Sequence, residues 1–290
     1  MSTSAPIHVV TGAAGGIGLE CARRLGRRGP LILADREREP LAAVAGRLLA
    51  DGYAIEELVA GDLADPGEVL ALAATLHERP LGTLAHAAGL SPTMADGRTI
   101  VDVNLIGTDA LLRAFLPYAT TGSVAICVAS IAGHQARAAS ESASSPRVLA
   151  LLDDPDHPAL FDSLLAATNG AIVHPQIAYA LSKLGVIRLV RRQADIWGAA
   201  GARIVSVSPG LIDTPMGRAE IAQEPTVREL VAHAALRRLG GPREIAAAID
   251  WLASPEASYV TGIDLIVDGG ATAAAERAAA PPSRGPLAAA

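Results

Sequence analysis

The segment YALSK at 179–183 holds the sole lysine of the chain; every other one of its 24 Lys and Arg residues is arginine. Tyr179 stands four residues before Lys183, so on a helix the phenol and the ammonium share one face a turn apart. A tyrosine titrates near pH 10, too alkaline for a base at neutral pH, and a neighbouring cation stabilises the phenolate. Lysine supplies a compact ammonium with several donors, which a planar guanidinium does not imitate. The pair reads as a proton-transferring phenol and its electrostatic partner.

A second chemical signal lies at the other end of the chain. TGAAGGIG at 11–18 follows an apolar run and opens a helix-period segment, the setting in which glycines let backbone approach a pyrophosphate at a helix N-terminus. Two spacings fit: Gly12, Gly16 and Gly18 as GxxxGxG, and Gly12, Gly15 and Gly18 as GxxGxxG. Asp35 closes the next apolar run, where a carboxylate accepts from the adenosine ribose and repels a 2′-phosphate. That favours NAD over NADP, with Arg36 beside it as the counter-indication. Asp62, in GDLAD, is placed for the adenine edge or for a helix cap.

Both signals need elements to hold them. Apolar runs at 7–10, 31–34, 55–59, 83–87, 123–129, 203–208 and 264–267 alternate with helix-period segments at 17–28, 40–50, 66–77, 99–116, 177–197 and 242–253. That alternation predicts an α/β, doubly wound parallel sheet of seven strands. Residues 134–175 interrupt it with apolar clusters at 148–152 and 160–165, which predict a helical hairpin. Residues 271–290, rich in Ala and Pro with little bulky apolar content, predict a flexible tail.

Composition narrows the partners. The net charge of −6 comes without basic blocks, which excludes a nucleic-acid groove or an anionic membrane surface. No apolar run approaches the length of a membrane span, and the N-terminus lacks a signal-peptide pattern, so the expected location is cytoplasmic. Cys21 and Cys127 lie far apart and read as reduced core thiols. The seven histidines show no metal-ligand spacing, so no metal is expected.

TGAAGGIG, HAAG at 86–89, VNLIG at 103–107, VASIAG at 128–133, YALSK at 179–183 and SPGLIDTPM at 208–216 occur in the order of the short-chain dehydrogenase/reductase family. The chain resembles its single-domain type from about residue 7 to 270, and resembles most the bacterial 3α-hydroxysteroid dehydrogenase/carbonyl reductase branch. The resemblance implies one Rossmann-fold domain over 1–270, with the insertion at 134–175 and a substrate lid at 215–239. It implies catalysis by Asn104, Ser130, Tyr179 and Lys183: Ser130 binds the substrate oxygen, Tyr179 is the acid/base, Lys183 lowers its pKa, and Asn104 holds a water. A nicotinamide cofactor would touch Gly12, Gly15, Gly16, Ile17, Gly18, Asp35, Arg36, Asp62, Leu63, Ala87, Ala88, Gly89, Tyr179, Lys183, Pro209, Gly210, Ile212 and Thr214. Substrate would meet Ser130, Tyr179, Leu211 and Met216.

The implied function is NAD-dependent interconversion of a secondary alcohol and a ketone, with an apolar, cyclic substrate such as a steroid, in a homo-oligomer. An NADP-dependent carbonyl reductase and a non-catalytic NAD(H) sensor are the alternatives. Two departures stand out. His86 occupies a position that is Asn in most relatives, and reads as a satisfied strand-end histidine. Ser130 and Tyr179 are separated by 49 residues against roughly a dozen in ordinary relatives, and the apolar clusters of the insertion either roof the substrate pocket or pack against a second subunit.

Overall fold

Adjacent strand residues bury on opposite sides of the sheet: Val9 and Ile32 join one core layer, Val10 and Leu33 the other. Strands apolar on both faces form a parallel sheet between two helical layers. The computed structural model describes residues 5–143, 145–223 and 225–279. In chain order its elements are β1 (Ile7–Thr11), α1 (Gly16–Leu25), β2 (Leu31–Asp35), α2 (Arg38–Ala50), β3 (Ile55–Ala60), α3 (Pro66–Ala74), β4 (Leu81–His86), α4 (Gly97–Val101), α5 (Gly107–Phe115) and β5 (Val124–Val128). There follow α6 (Ile131–Ala143), α7 (Pro146–Leu152), α8 (Leu160–Ala167), α9 (Pro175–Ala199), β6 (Arg203–Pro209), α10 (Pro215–Gln223), α11 (Pro225–His233), α12 (Pro242–Leu252), β7 (Asp264–Val267) and α13 (Ala271–Ala279).

The seven strands pair in parallel in the order β3-β2-β1-β4-β5-β6-β7. Strand order reverses between β1 and β4, and the crevice beyond the carboxyl ends of those strands is where such sheets bind ligands. Local sequence sets the helix starts: the Asp65 carboxylate accepts from the N–H groups of Gly67 and Glu68, and Pro66 supplies a preset first turn. Between α4 and α5 a π-helical turn, Asp102–Ile106, inserts an extra residue and carries Asn104.

The insertion forms the expected hairpin, α7 and α8, preceded by α6. Val148, Leu152, Leu160, Phe161 and Leu164 bury with Ile100, Val101, Leu105 and Leu184 in one cluster against α4 and α9. Asp153, at the C-cap of α7, takes Arg188 of α9 in a two-pronged pair, Nε to Oδ1 at 2.7 Å and a terminal nitrogen to Oδ2 at 2.5 Å.

The tail departs from expectation. Residues 271–279 form α13 instead of a flexible segment, whereas 280–290 lie outside the described residues. Asp268 binds the N–H groups of Gly270 and Thr272 and so starts the helix. Ala271 then buries with Ala234 and Ile131. Small side chains permit that close packing, so bulky residues are not required. Among the described residues no helix is long and apolar enough to cross a membrane.

Replacing Asp153 by Ala removes a half-exposed bidentate pair and should lower the unfolding free energy by about 1 kcal/mol in urea denaturation, with cofactor binding unchanged.

Candidate active site

The glycine turn leaves β1 with Gly12 at φ +67°, and a Cβ there would lie 2.7 Å from the Ala88 nitrogen. Only glycine lets this turn meet the loop after β4 so closely. The Ala14 N–H donates to Asp35 Oδ2 at 2.9 Å, tying the turn to the end of β2. No side chain caps the N-terminus of α1 and no acidic residue occupies its first turn. Its free N–H groups and the helix dipole suit a pyrophosphate there.

Two cavities meet at this turn. One, of about 340 Å³, lies over the ends of β1, β2 and β3 and is lined by Asp35, Arg36, Val59, Asp62, Leu63 and Ala88. The other, of about 620 Å³, runs past Gly16, Ile17 and Gly18 to Ser130, Tyr179, Lys183, Pro209, Gly210, Leu211, Ile212 and Thr214. Gly12, Gly15, Ala87, Gly89 and Met216 line both. Every residue singled out from the sequence lines this cleft except Asn104. The shape fits a dinucleotide. Among the described residues none of the insertion lines either cavity, and its apolar clusters pack within the chain against α4 and α9.

Ser130 and Tyr179, distant in sequence, stand on the wall of the same cavity, close enough for the Ser130 hydroxyl to act on the phenol. Gly133 makes this possible: a Cβ there would sit 2.8 Å from the Leu184 nitrogen, so glycine allows α6 to lie directly against α9. Lys183 is 5% exposed; its Nζ donates to the Val128 carbonyl at 2.9 Å and lies 5.8 Å from the centre of the Tyr179 ring. Asn104 sits behind this wall. Its amide exchanges two hydrogen bonds with the Leu90 backbone, accepting from N at 2.7 Å and donating to O at 2.9 Å.

The protonation states differ from the sequence expectation. Burial pushes the Tyr179 phenol up to about 12, the Glu220 carboxylate pushes the same way, and the Ser130 hydroxyl opposes them. Burial lowers Lys183 to about 8. In the protein alone, therefore, the ammonium does not depress the phenol as their spacing led us to expect.

The family model described as short chain dehydrogenase matches residues 6–145, and one described as enoyl-(acyl carrier protein) reductase matches 162–272. A galactitol 2-dehydrogenase (L-tagatose-forming) of Cereibacter sphaeroides is 33% identical, the alignment covering 91% of this chain and 93% of that protein. The chain belongs to the short-chain dehydrogenase/reductase family. It is therefore an oxidoreductase of alcohol and carbonyl groups. A 3-alpha-hydroxysteroid dehydrogenase/carbonyl reductase of Comamonas testosteroni is 34% identical over 64% of this chain and 71% of its own. The 3-alpha-hydroxysteroid dehydrogenase from Pseudomonas sp. B-0831, solved with NADH, superposes with a TM-score of 0.73 at 29% identity, over 94% of this chain and 99% of that one.

Within this dehydrogenase/reductase, His86 is buried and bonded through both ring nitrogens, as its strand-end reading anticipates. The Thr108 hydroxyl donates to the Asn104 carbonyl at 2.7 Å, so it must accept from His86 Nε2 at 2.8 Å. Nδ1 then accepts from the Thr11 hydroxyl at 2.7 Å, whose oxygen takes the Ala88 N–H at 3.3 Å. The ring is neutral, its pKa lowered to about 3 by burial and by the Lys183 charge. Asp62 braces its own loop, its carboxylate accepting from the Ala64 N–H at 2.9 Å; Asp65, not Asp62, caps α3.

One ionisable residue beside Ser130 and Tyr179 escaped the sequence analysis. Glu220 on α10 lines the larger cavity with Ser130, Tyr179 and Lys183. Its only signal was membership of the 215–239 segment. Among the described residues no group of three or more His, Cys, Asp or Glu side chains could hold a metal ion.

Because unfolded His86 takes up a proton near pH 6.5 while the folded ring resists it to about 3, stability falls as pH drops through that window. His86→Asn should reduce the slope of unfolding free energy against pH, measured between pH 6 and 4, by about one proton. His8, lowered to about 4, contributes the same sign in both proteins.

Proposed function

We propose that the protein is an NAD-dependent enzyme interconverting a secondary alcohol and a ketone. The observation that carries this is that Ser130, Tyr179 and Lys183 stand together on the wall of the cavity that also opens onto the glycine turn. A bound nicotinamide would supply or accept the hydride. Ser130 donates to the substrate oxygen, and Tyr179 exchanges a proton with that same oxygen. Lys183 holds its charge beside them and, with the cofactor in place, has spare donors for the ribose hydroxyls. The Asn104 carbonyl accepts from Thr108 and keeps a second lone pair, to which we assign the relay water.

The preference for NAD rests on Asp35, whose carboxylate lines the smaller cavity and is held by the Ala14 and Arg36 N–H groups. Met216, Leu211, Leu90 and Met94 line the other end and support an apolar, cyclic substrate of the hydroxysteroid kind. Exposed Trp251, Tyr259 and Ile266 near the edge strand β7 support a homo-oligomer. Two buried free thiols, Cys21 and Cys127, fit a cytoplasmic setting.

A panel of secondary alcohols and ketones, followed at the absorbance of reduced nicotinamide, tests the reading. Tyr179→Phe should cut kcat at least about a hundredfold while NADH still binds. A phenol held near 12 is protonated at neutral pH, the form that donates to a ketone oxygen. Oxidation needs the phenolate, so its rate should climb from pH 7 to 10. Reduction should be level below pH 8 and decline above it, where Lys183 loses its charge. The wild type should favour NAD over NADP at least about tenfold in kcat/KM, and Asp35→Ala should shrink that ratio, because like charges no longer meet at the 2′-phosphate. A wild-type preference for NADP would refute the role given to Asp35.

A further inference from the structure

Glu220 is, among the described residues, the one acidic side chain of a cavity that Leu90, Met94, Leu211 and Met216 also face. It is half-buried on α10, on the side of the cavity where the fully buried Ser91 hydroxyl lies near enough to act on it. Ser91 Oγ lies 3.0 Å from Thr93 Oγ1, and Thr93 also faces the cavity. Lid carboxylate and hydroxyl pair thus form one polar strip, on the same cavity wall system as Ser130 and Tyr179. Among the described residues the one cation that acts on Glu220 is Lys183, and it is already bonded to Val128.

A carboxylate only accepts hydrogen bonds, and it offers more lone-pair positions than a single serine uses. A group entering beside it is favoured if it donates and penalised if it carries negative charge in this partly dry space. We propose that Glu220 determines specificity by accepting a hydrogen bond from a second hydroxyl of the substrate, so that the enzyme takes neutral diols or polyols and rejects hydroxy acids. This rests on the secondary-alcohol reading of the site. A hydroxyl suits the strip better than an ammonium, because it meets Glu220 as a neutral donor and is cheaper to bring out of water into this partly dry space. The apolar remainder of the cavity holds the carbon skeleton.

Four matched ring alcohols test this: cyclohexanol, the cyclohexanediol with hydroxyls on opposite carbons, and the corresponding aminocyclohexanol and hydroxycyclohexanecarboxylate. Turnover is measured in the wild type, Glu220→Gln and Glu220→Asp, and binding is read by calorimetry in Tyr179→Phe with NAD bound, with and without the Glu220 changes. The diol should exceed the hydroxy acid in kcat/KM by at least about tenfold. Glu220→Gln should reduce that ratio at least about tenfold, chiefly through KM, and Glu220→Asp should restore part of it. A ratio unchanged by Glu220→Gln, absent diol binding, or an aminocyclohexanol preferred tenfold over the diol would overturn the proposal. Turnover with an unchanged ratio leaves the alcohol reading intact and removes the role of Glu220. Calorimetric preference for the diol without any turnover does the reverse.

Discussion

An ammonium taken out of water at the ends of β4 and β5 is the constraint around which this protein is arranged. Burying a charge is costly unless acceptors are waiting for it, and Lys183 finds the Val128 carbonyl at 2.9 Å. Delivering the side chain there requires α9 to lie hard against α6, which Gly133 permits. It also requires the loop after β4 to hold its shape, which Asn104 secures through Leu90. The cost appears in the titration of its neighbours: the lysine is pulled down to about 8, and His86 is kept neutral.

The chain of bonds from Ala88 through Thr11, His86 and Thr108 to Asn104 has a single direction, each group donating to the next. A neutral histidine is what allows this, since a doubly protonated ring could not accept from Thr11. The network links the strand that carries the glycine turn to the π-helical turn that carries Asn104. The glycine turn and the Asn104 turn are therefore braced through one buried imidazole, in a position where a shorter amide would have to span the same gap.

Much of this was legible in the sequence, for identifiable reasons. The strands were readable because both faces of a parallel sheet are apolar, and each of the seven apolar runs overlaps one strand of the sheet. The cleft was readable because glycines and a strand-end Asp35 have few substitutes in that geometry. Helix α13 was not, since Ala271 and Ala274 bury by being small, a pattern that hydrophobic periodicity does not register. The acidity of Tyr179 was misjudged because spacing on a helix gives proximity along the axis, whereas burial and Glu220 act through space. Glu220 itself had no motif to announce it; its place follows from how α10 folds over the cavity.

Asp35 Oδ2 grips the Ala14 N–H across the gap between β2 and the glycine turn. The same carboxylate that would greet a ribose is thus also a fastener of the glycine turn. Any evolutionary exchange of this acid for a residue tolerant of phosphorylated ribose has to supply a new clasp for Ala14 as well, so a switch of coenzyme here demands paired changes, not one.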